Sequence, residues 1–350
     1  MKAKTWNMVV LTSVCAILAL IAIGTVIIDP FLHYHAPLKA LEYPLKDERY
    51  QNDGIARWYD YNAIITGSSM VQNFKASEFD ELMGVKSIKI AFSGATYFEL
   101  HNNIDRALAY NPNVKMVLCA IDGNRLATAA DANEYEGYPE YLYDANPFND
   151  VQYVLNKEVV PKTIAVINYT RAGEKTPTMD QYGSWSRYKS YGRDAVLATL
   201  TELPEFAEER IFTEEELCTI EENVVKNILQ LAVENPEVDF YLFYPPYSIC
   251  FWEALHNTKQ LRAQIEAEKL ATKLLLQASN IHLYGFADRM DIIGDLDNYT
   301  DSLHYSEEIN SVILRMIREK EGLLTSNNYE EYYERIQELY ENYDYTTIRE

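Results

Sequence analysis

The sequence predicts an α/β protein in which about five parallel strands form one sheet, preceded by a single transmembrane helix. Three observations lead to this prediction. From residue 60 onward, short β-branched or aromatic runs alternate with amphipathic stretches, as is typical of βαβ units with helices on both faces of a parallel sheet. An uncharged apolar segment lies near the N-terminus. Only 13 Gly and 12 Pro occur among 350 residues, so long flexible linkers are not expected.

The N-terminal apolar segment, Met8–Ile28, contains no charged residue. At about 1.5 Å per residue it spans about 31 Å, which matches the hydrocarbon core of a bilayer. Lys2 and Lys4 precede it and Asp29 follows, so the positive-inside rule places the N-terminus in the cytoplasm and the rest of the chain outside. The alternative is a cleaved signal peptide, whose apolar region would be shorter and end in small residues. Because the run continues well past Ala16, we predict an uncleaved anchor in the plasma membrane.

Five strands are predicted from short apolar runs that are bounded by Gly, Pro, Asn or Asp. They are Ala63–Thr66, Ser87–Phe92, Val114–Ile121, Val238–Tyr244 and Ile281–Tyr284. Helices are predicted over Ala76–Met83, Thr96–Tyr110, Thr213–Glu234, Trp252–Ala278 and Glu307–Lys320. The third of these helices begins with a Thr-Glu-Glu-Glu capping box.

Two segments depart from this alternation. Residues 125–212 are rich in Tyr and contain Trp185, and long insertions in α/β folds commonly shape binding sites. We interpret this insertion as a lid or substrate-binding cap. The tail, residues 323–350, carries Tyr and Ile at helical spacing, which indicates an acidic helix either packed on the domain or free to bind a partner. The predicted domains are therefore the anchor (1–29), the α/β domain (30–322) and this helix.

Charge and cysteine content exclude several functions. The net charge of −22 would repel phosphate backbones, so nucleic acid binding is not expected. The four cysteines lack zinc or disulfide spacing. His33 and His35 could present imidazoles to a metal, but no third ligand is near them in the sequence. We therefore predict neither a metal nor a cofactor.

Two short motifs carry chemistry. Ser69 follows Gly67 just after the first predicted strand, at the edge of a parallel sheet where binding crevices form. A serine on such a turn presents its hydroxyl beside free backbone N–H groups. Asp301 and His304 lie three residues apart before the last helix, so the carboxylate can orient the imidazole toward a serine. The alternatives are a helix N-cap serine and an unremarkable Asp-x-x-His pair.

Together these motifs resemble the SGNH (GDSL-like) hydrolase superfamily, whose first and last blocks are Gly-Asp-Ser and Asp-x-x-His. Gly94, after the second strand, matches the glycine N–H of its oxyanion hole, and Asn124, after the third strand, matches its asparagine. Ser68 replaces the Asp of the first block, and the Asp that should follow Asn124 is missing. With the N-terminal anchor and Tyr244–Ser248 (YPPYS), the chain is similar to a membrane-anchored subset that serves lipoteichoic acid D-alanylation and polysaccharide O-acetylation.

The resemblance implies a three-layer flavodoxin-like fold and a serine esterase or O-acyltransferase that acts outside the cell on an acylated glycan or wall polymer. Ser69 would be the nucleophile, His304 the general base and acid, and Asp301 its orienting carboxylate. The N–H groups of Ser69 and Gly94, with the Asn124 side chain, would form the oxyanion hole. A membrane-bound acyltransferase is a candidate partner. The departures from the family blocks leave open the alternative of a non-catalytic scaffold for envelope polymer assembly.

Overall fold

A computed structural model of the chain describes residues 3–144, 146–201 and 208–349, which divide into two compact units. The anchor unit contains the residues up to Tyr59 together with Tyr135–Thr178. The sheet unit contains Asp60–Glu134 and the residues from Met179 onward. The Tyr-rich insertion is therefore shared: its middle part belongs to the anchor unit, and its last part, with Trp185, belongs to the sheet unit.

The sheet unit contains six strands in the order β2-β1-β3-β4-β5-β6. They are β1 Ala63–Thr66, β2 Ser87–Lys89, β3 Met116–Ala120, β4 Asp239–Phe243, β5 Ile281–Tyr284 and β6 Leu323–Leu324. The first five pair in parallel, and β6 pairs antiparallel with β5. The α/β class is thus confirmed, but the strand number is six rather than five. With only two residues, β6 is too short to show a strand pattern in the sequence.

Fourteen α-helices are formed by the residues that the structure describes. They are α1 Ala3–Ile28, α2 Glu48–Trp58, α3 Ala76–Met83, α4 Tyr97–Tyr110, α5 Val151–Val154, α6 Val159–Arg171, α7 Arg193–Thr199, α8 Glu214–Val224, α9 Gln230–Glu234, α10 Ile249–Asn257, α11 Leu261–Leu275, α12 Met290–Ile293, α13 Glu307–Glu319 and α14 Tyr329–Asn342. A π-helical stretch, Val225–Leu229, joins α8 to α9. Helices α1, α2, α5 and α6 belong to the anchor unit, and the others belong to the sheet unit.

The helices of the sheet unit form two groups. Helix α3 packs against α13, whereas α11 packs against α8 and α14, and α4 packs against Val225–Leu229. The chain moves from β1 outward to β2 and then back across β1 to β3. Since such crossovers are almost always right-handed, this reversal assigns the two groups to opposite faces. All four residues of β1 are buried, as expected for a parallel strand covered on both sides.

The prediction of one continuous helix over Trp252–Ala278 is wrong. The structure has two helices there, α10 and α11, with the break at Thr258–Gln260. Lys259 lies between them with a φ of 53°, a left-handed conformation that ends a helix. The periodicity gave no sign of this break because neither Gly nor Pro marks it.

The C-terminal tail packs onto the sheet unit. Helix α14 buries Tyr332, Tyr333, Ile336 and Tyr340, which are members of the apolar stripe seen in the sequence. The Tyr340 hydroxyl donates to the carbonyl of Ala287 at 2.6 Å, and the hydroxyl of Tyr332 accepts from the N–H of Ala287. The tail therefore holds the loop that follows β5, from which the chain continues to Asp301 and His304.

A buried carboxyl group lies where α11 meets the end of β3. Glu268 is 5% exposed, and a Cβ on Gly123 would stand only 2.2 Å from its Oε1. Burial raises the pKa of Glu268 to about 7, opposed by the amide of Gln264, which donates to it at 2.7 Å. The folded protein therefore keeps this proton up to near neutral pH, whereas the unfolded chain releases it near 4.5.

We expect Glu268→Gln to stabilise the protein at pH 8. Between pH 4.5 and about 7 the folded state binds more protons than the unfolded state, so wild-type stability falls as pH rises through this window. Above about pH 7 the buried carboxylate of Glu268 lowers the free energy of unfolding by about 3 kcal/mol. The neutral amide of the Gln variant avoids this loss. Urea unfolding at pH 5 and pH 8 measures the difference, with the exposed Glu266→Gln on the same helix as control. An equal effect at both pH values would contradict the assignment.

The anchor unit begins with α1, which is long and apolar enough to cross a membrane, with a mean hydropathy of 2.6 over its best window. A signal sequence has the same features. Lys2, on which the predicted orientation partly depends, lies outside the described residues. Asp29 ends the helix; it is buried, and its carboxylate accepts the N–H groups of His33, Tyr34 and His35. This turn fixes the chain as it leaves the helix.

Candidate active site

The turn after β1 presents Ser69. Gly67 has a φ of 144°, and a Cβ there would stand 3.0 Å from the side chain of Val71, so the turn requires glycine. Ser68 is buried, and its hydroxyl accepts the N–H of Met70 at 3.3 Å. Ser69 itself is only partly buried.

The structure brings the three predicted triad residues together. Ser69 Oγ lies 2.8 Å from His304 Nε2. The other ring nitrogen, Nδ1, lies 2.9 Å and 3.0 Å from the two carboxylate oxygens of Asp301. The side chains of His304 and Asp301 are 27% and 28% exposed, which leaves a path for a substrate. The candidate nucleophile, base and orienting carboxylate are thus in hydrogen-bond contact, which is the geometry that serine catalysis requires.

Backbone groups also hold Asp301. Its Oδ1 accepts the N–H groups of Leu303 and His304 at 2.9 and 2.8 Å. Partial burial would raise the pKa of Asp301, but these hydrogen bonds, together with the hydrogen bond and charge of His304, outweigh it and lower the pKa below its usual value. The Asp301 carboxylate therefore stays ionised at neutral pH. It can accept a hydrogen bond from the N–H at Nδ1 of His304.

The loop that carries Asp301 and His304 is fixed at both ends. Tyr299 and Tyr305 form an antiparallel bridge that closes it. The hydroxyl of Tyr305 donates to the carbonyl of Met70, next to the nucleophile, and that of Tyr299 donates to the carbonyl of Pro246. The base is thus tied directly to the turn that carries its serine, which limits their relative motion.

Two backbone donors are available beside Ser69. Within the parts of the chain that the structure describes, neither the N–H of Ser69 nor that of Gly94 donates a hydrogen bond. Gly94 is exposed and has a φ of 64°, and it follows β2, the strand next to β1. These N–H groups could donate hydrogen bonds to a developing oxyanion.

The third predicted donor, Asn124, lies in the 3₁₀ turn Gly123–Arg125 that follows β3. Its side chain is exposed and forms no hydrogen bond with any described residue, so its role as an oxyanion donor stays a prediction. The neighbouring Arg125 was not singled out from the sequence. One terminal guanidinium nitrogen of Arg125 lies 3.9 Å from the position that a Cβ on Gly94 would occupy. The other terminal nitrogen donates a hydrogen bond to the carboxylate of Glu134 at 2.7 Å. Arg125 therefore borders the same site.

Asp122 is a site residue that sequence reasoning missed. It is 6% exposed, follows β3, and accepts a hydrogen bond from the Tyr247 hydroxyl at 2.7 Å. Burial raises the pKa of Asp122, opposed by hydrogen bonds from the hydroxyls of Ser68 and Tyr247. Since Ser68 directly precedes Ser69, the carboxylate of Asp122 contacts the turn that carries the candidate nucleophile. In the sequence, Asp122 directly follows a predicted strand and stands two residues before Asn124, which was the available signal.

Trp185 also contacts the site, a role that its place in the predicted lid or cap did not specify. Its indole N–H donates to the carbonyl of Ser69 at 3.2 Å, and its ring meets that of His304 edge-on, with centroids 5.3 Å apart. The side chain of Asn73 accepts the N–H groups of Trp185 and Ser186, both at 3.0 Å. This end of the Tyr-rich insertion thus packs against both nucleophile and base. Trp185 is the sole Trp of the insertion, which was the available signal.

His33 and His35, which the sequence offered as possible metal ligands, lie in the anchor unit. The ring of His33 pairs with Asp150 at 3.3 Å, and that of His35 contacts backbone carbonyls. Across residues 3–144, 146–201 and 208–349, no group of three or more His, Cys, Asp or Glu side chains could hold a metal ion.

No protein-family model matches this chain, and neither does any curated protein. A solved structure from Streptococcus pneumonia, provisionally described as a platelet activating factor, is similar over 78% of this chain and 90% of its own length. The sequence identity is 13% and the TM-score is 0.39.

Proposed function

We propose that this protein is a membrane-anchored serine esterase or O-acyltransferase of the SGNH type, with the three-layer flavodoxin-like fold of that superfamily. The observation that supports this most strongly is the contact chain from Ser69 Oγ through His304 to Asp301, with distances of 2.8 and 2.9 Å. These three side chains lie at the carboxyl edge of a mostly parallel sheet, where α/β proteins bind their ligands.

The proposed reaction has two steps. His304 Nε2 takes the proton of Ser69 as the serine oxygen attacks the ester carbonyl, and the oxyanion is held by the N–H groups of Ser69 and Gly94. Collapse of this intermediate returns the proton to the leaving alcohol and leaves an acyl-serine. His304 then takes a proton from the second acceptor, whose oxygen attacks the acyl carbonyl. The bond between the acyl carbon and Ser69 Oγ breaks, and His304 gives the proton back to Ser69 Oγ. Water as acceptor gives hydrolysis, and a sugar hydroxyl gives transfer.

The substrate that we propose is an acylated glycan or wall polymer outside the cytoplasm. Two features support it: α1 would tether the chain to the membrane, and Trp185 of the Tyr-rich insertion contacts His304. Tyr188, three residues after Trp185, is 70% exposed. Exposed aromatic rings suit the apolar faces of sugars.

A partition experiment tests this proposal. The purified full chain is given a simple acetyl ester, with and without an oligosaccharide acceptor, and free acetate and acetylated sugar are both measured. We expect ester consumption that is lost in Ser69→Ala, with part of the acetyl group recovered on the sugar if the protein is a transferase. No ester consumption above that of Ser69→Ala would favour the non-catalytic scaffold instead.

The proposed topology makes a separate prediction. A periplasmic-type reporter enzyme fused after Glu350 should be active, because Lys4 precedes the span and Asp29 follows it. N-terminal sequencing of the membrane-bound protein should find the first residues retained. A mature chain that begins near residue 30 would show that α1 is a cleaved signal sequence.

A further inference from the structure

Four large apolar side chains of the anchor unit are exposed on segments beside α1. Phe148 is 90% exposed, Val151 54%, Leu155 39% and Ile164 52%. They lie on α5, on the residues flanking it, and on α6; α5 and α6 pack against α1 and against each other. Single exposed apolar residues are ordinary on soluble proteins, but four around the base of an apolar helix require an explanation.

Helix α5 is fixed to the end of α1 by buried hydrogen bonds. The hydroxyl of Tyr153 donates to the carboxylate of Asp29 at 2.7 Å and accepts the N–H of Phe31 at 3.2 Å. Asp150 binds the ring of His33 and the hydroxyl of Tyr34 at 3.3 and 3.1 Å. Phe148, Val151 and Leu155 are therefore held close to the point where the chain leaves α1.

The burial pattern of α1 shows how far the covered part extends along the helix. Its residues are exposed on every side from Ala3 to Leu20, and partial burial begins at Ile21. Thr25 is 1% exposed. The covered part, from Ile21 to Ile28, is about 12 Å long.

The apolar run Met8–Ile28 is only as long as the hydrocarbon core is thick, about 30 Å. If it spans the core, its covered end lies in the outer third of the bilayer, together with the segments packed against it. Shifting α1 outward by this length would draw Lys4 into the core, which is unfavourable. The helices that cover α1 therefore reach the depth of the lipid interface.

We propose that Phe148, Val151, Leu155 and Ile164 insert into the outer leaflet, so that α5 and α6 form an interfacial platform beside the span. The occupant of this surface is lipid, because it continues the lipid-facing surface of α1. Two residues after Leu155, the exposed side chain of Lys157 lies 3.9 Å from the carboxylate of Glu158, and we infer that this polar pair lies at the headgroup level. The inference requires α1 to be retained in the membrane and is independent of catalysis at Ser69.

Lipid quenching of site-specific fluorophores tests the platform. The full chain is reconstituted in phosphatidylcholine–phosphatidylglycerol vesicles with an environment-sensitive label at Phe148→Cys or Ile164→Cys. The matched control is Ile211→Cys, since Ile211 is 77% exposed but lies in the sheet unit. Cys15 and Cys218 are replaced in these variants because both are exposed, whereas Cys119 and Cys250 are buried. A separate preparation labelled at native Cys15, with Cys218 replaced, reports on the span.

We expect spin-labelled lipids with shallow quenchers to reduce emission from positions 148 and 164 but not from 211, and deep quenchers to reduce emission from Cys15. If the label at Cys15 is quenched while the labels at positions 148 and 164 are no more quenched than the label at position 211, the platform is in water and the inference is overturned. The exposed apolar surface would then be available to a protein partner. If the label at Cys15 is not quenched, α1 does not span the bilayer, and the inference that depends on this span is also wrong. Ester turnover in the same vesicles is a separate readout, so failure of the proposed catalysis is distinguishable.

Discussion

Replacing Ser69 by Ala should abolish nearly all ester turnover, and His304→Ala should do the same. Ser69 Oγ and His304 Nε2 are 2.8 Å apart, and in the proposed mechanism the first is the nucleophile and the second is the base that activates it. For residues that act as such a unit, loss of either lowers kcat on the order of 10⁶-fold, and the double variant costs little more. Turnover of a chromogenic acetyl ester by equal amounts of folded protein measures all three.

Ser279→Ala is the matched control for these variants, because Ser279 is exposed in the sheet unit and follows α11. It should retain wild-type turnover.

Turnover by Asn124→Ala should lie between that of wild type and that of Ser69→Ala, since removal of one oxyanion donor typically lowers the rate about 10²–10³-fold while the backbone donors remain. Asp301→Ala should also retain more activity than Ser69→Ala. If Ser69→Ala complements a deletion strain as well as wild type does, the catalytic interpretation is wrong.

Asp301→Asn should lower turnover by about 10⁴-fold, more than Asp301→Ala does. In the structure Oδ1 of Asp301 accepts two backbone N–H groups, from Leu303 and His304. In the asparagine variant the amide oxygen must occupy this place, because only oxygen accepts. The amide NH₂ then faces Nδ1 of His304 and donates to it, which moves the ring proton to Nε2. A protonated Nε2 cannot take the proton of Ser69.

The alanine variant offers no donor to Nδ1, so His304 keeps access to the productive tautomer and part of the rate. Nitrogen NMR of His304 distinguishes the two effects: the proton should be on Nδ1 in the neutral wild-type ring and on Nε2 in Asp301→Asn. Turnover in Asp301→Asn equal to or above that in Asp301→Ala would show that the carboxylate does not set the tautomer.

The parts of the fold that the sequence predicted are those set by local pattern. Strand β1 was predicted with its observed bounds because its residues are apolar, partly β-branched and ended by a glycine turn. Asp301 and His304 were recognisable because their contact spans only three residues. The break at Lys259 was not predictable from periodicity, and β6 was too short to see.

The parts that the sequence did not predict depend on long-range contacts. The carboxylate under the nucleophile turn is that of Asp122, which is distant in sequence from Ser68 and binds the still more distant Tyr247. Trp185 contacts Ser69 across 116 residues. No motif encodes such pairs, because they depend on how strand ends and the insertion converge in the folded chain.

The central claim is that Ser69 is a nucleophile activated by His304. Labelling of the full chain with a fluorophosphonate, followed by peptide mass spectrometry, tests it most directly, since this probe forms a stable adduct with an activated serine oxygen. We predict a single stoichiometric adduct on Ser69 in the wild-type protein and in Ser279→Ala, and no adduct in His304→Ala. Intact, folded protein that takes up no label at Ser69, or a Ser69 adduct that forms equally fast in His304→Ala, would contradict the claim.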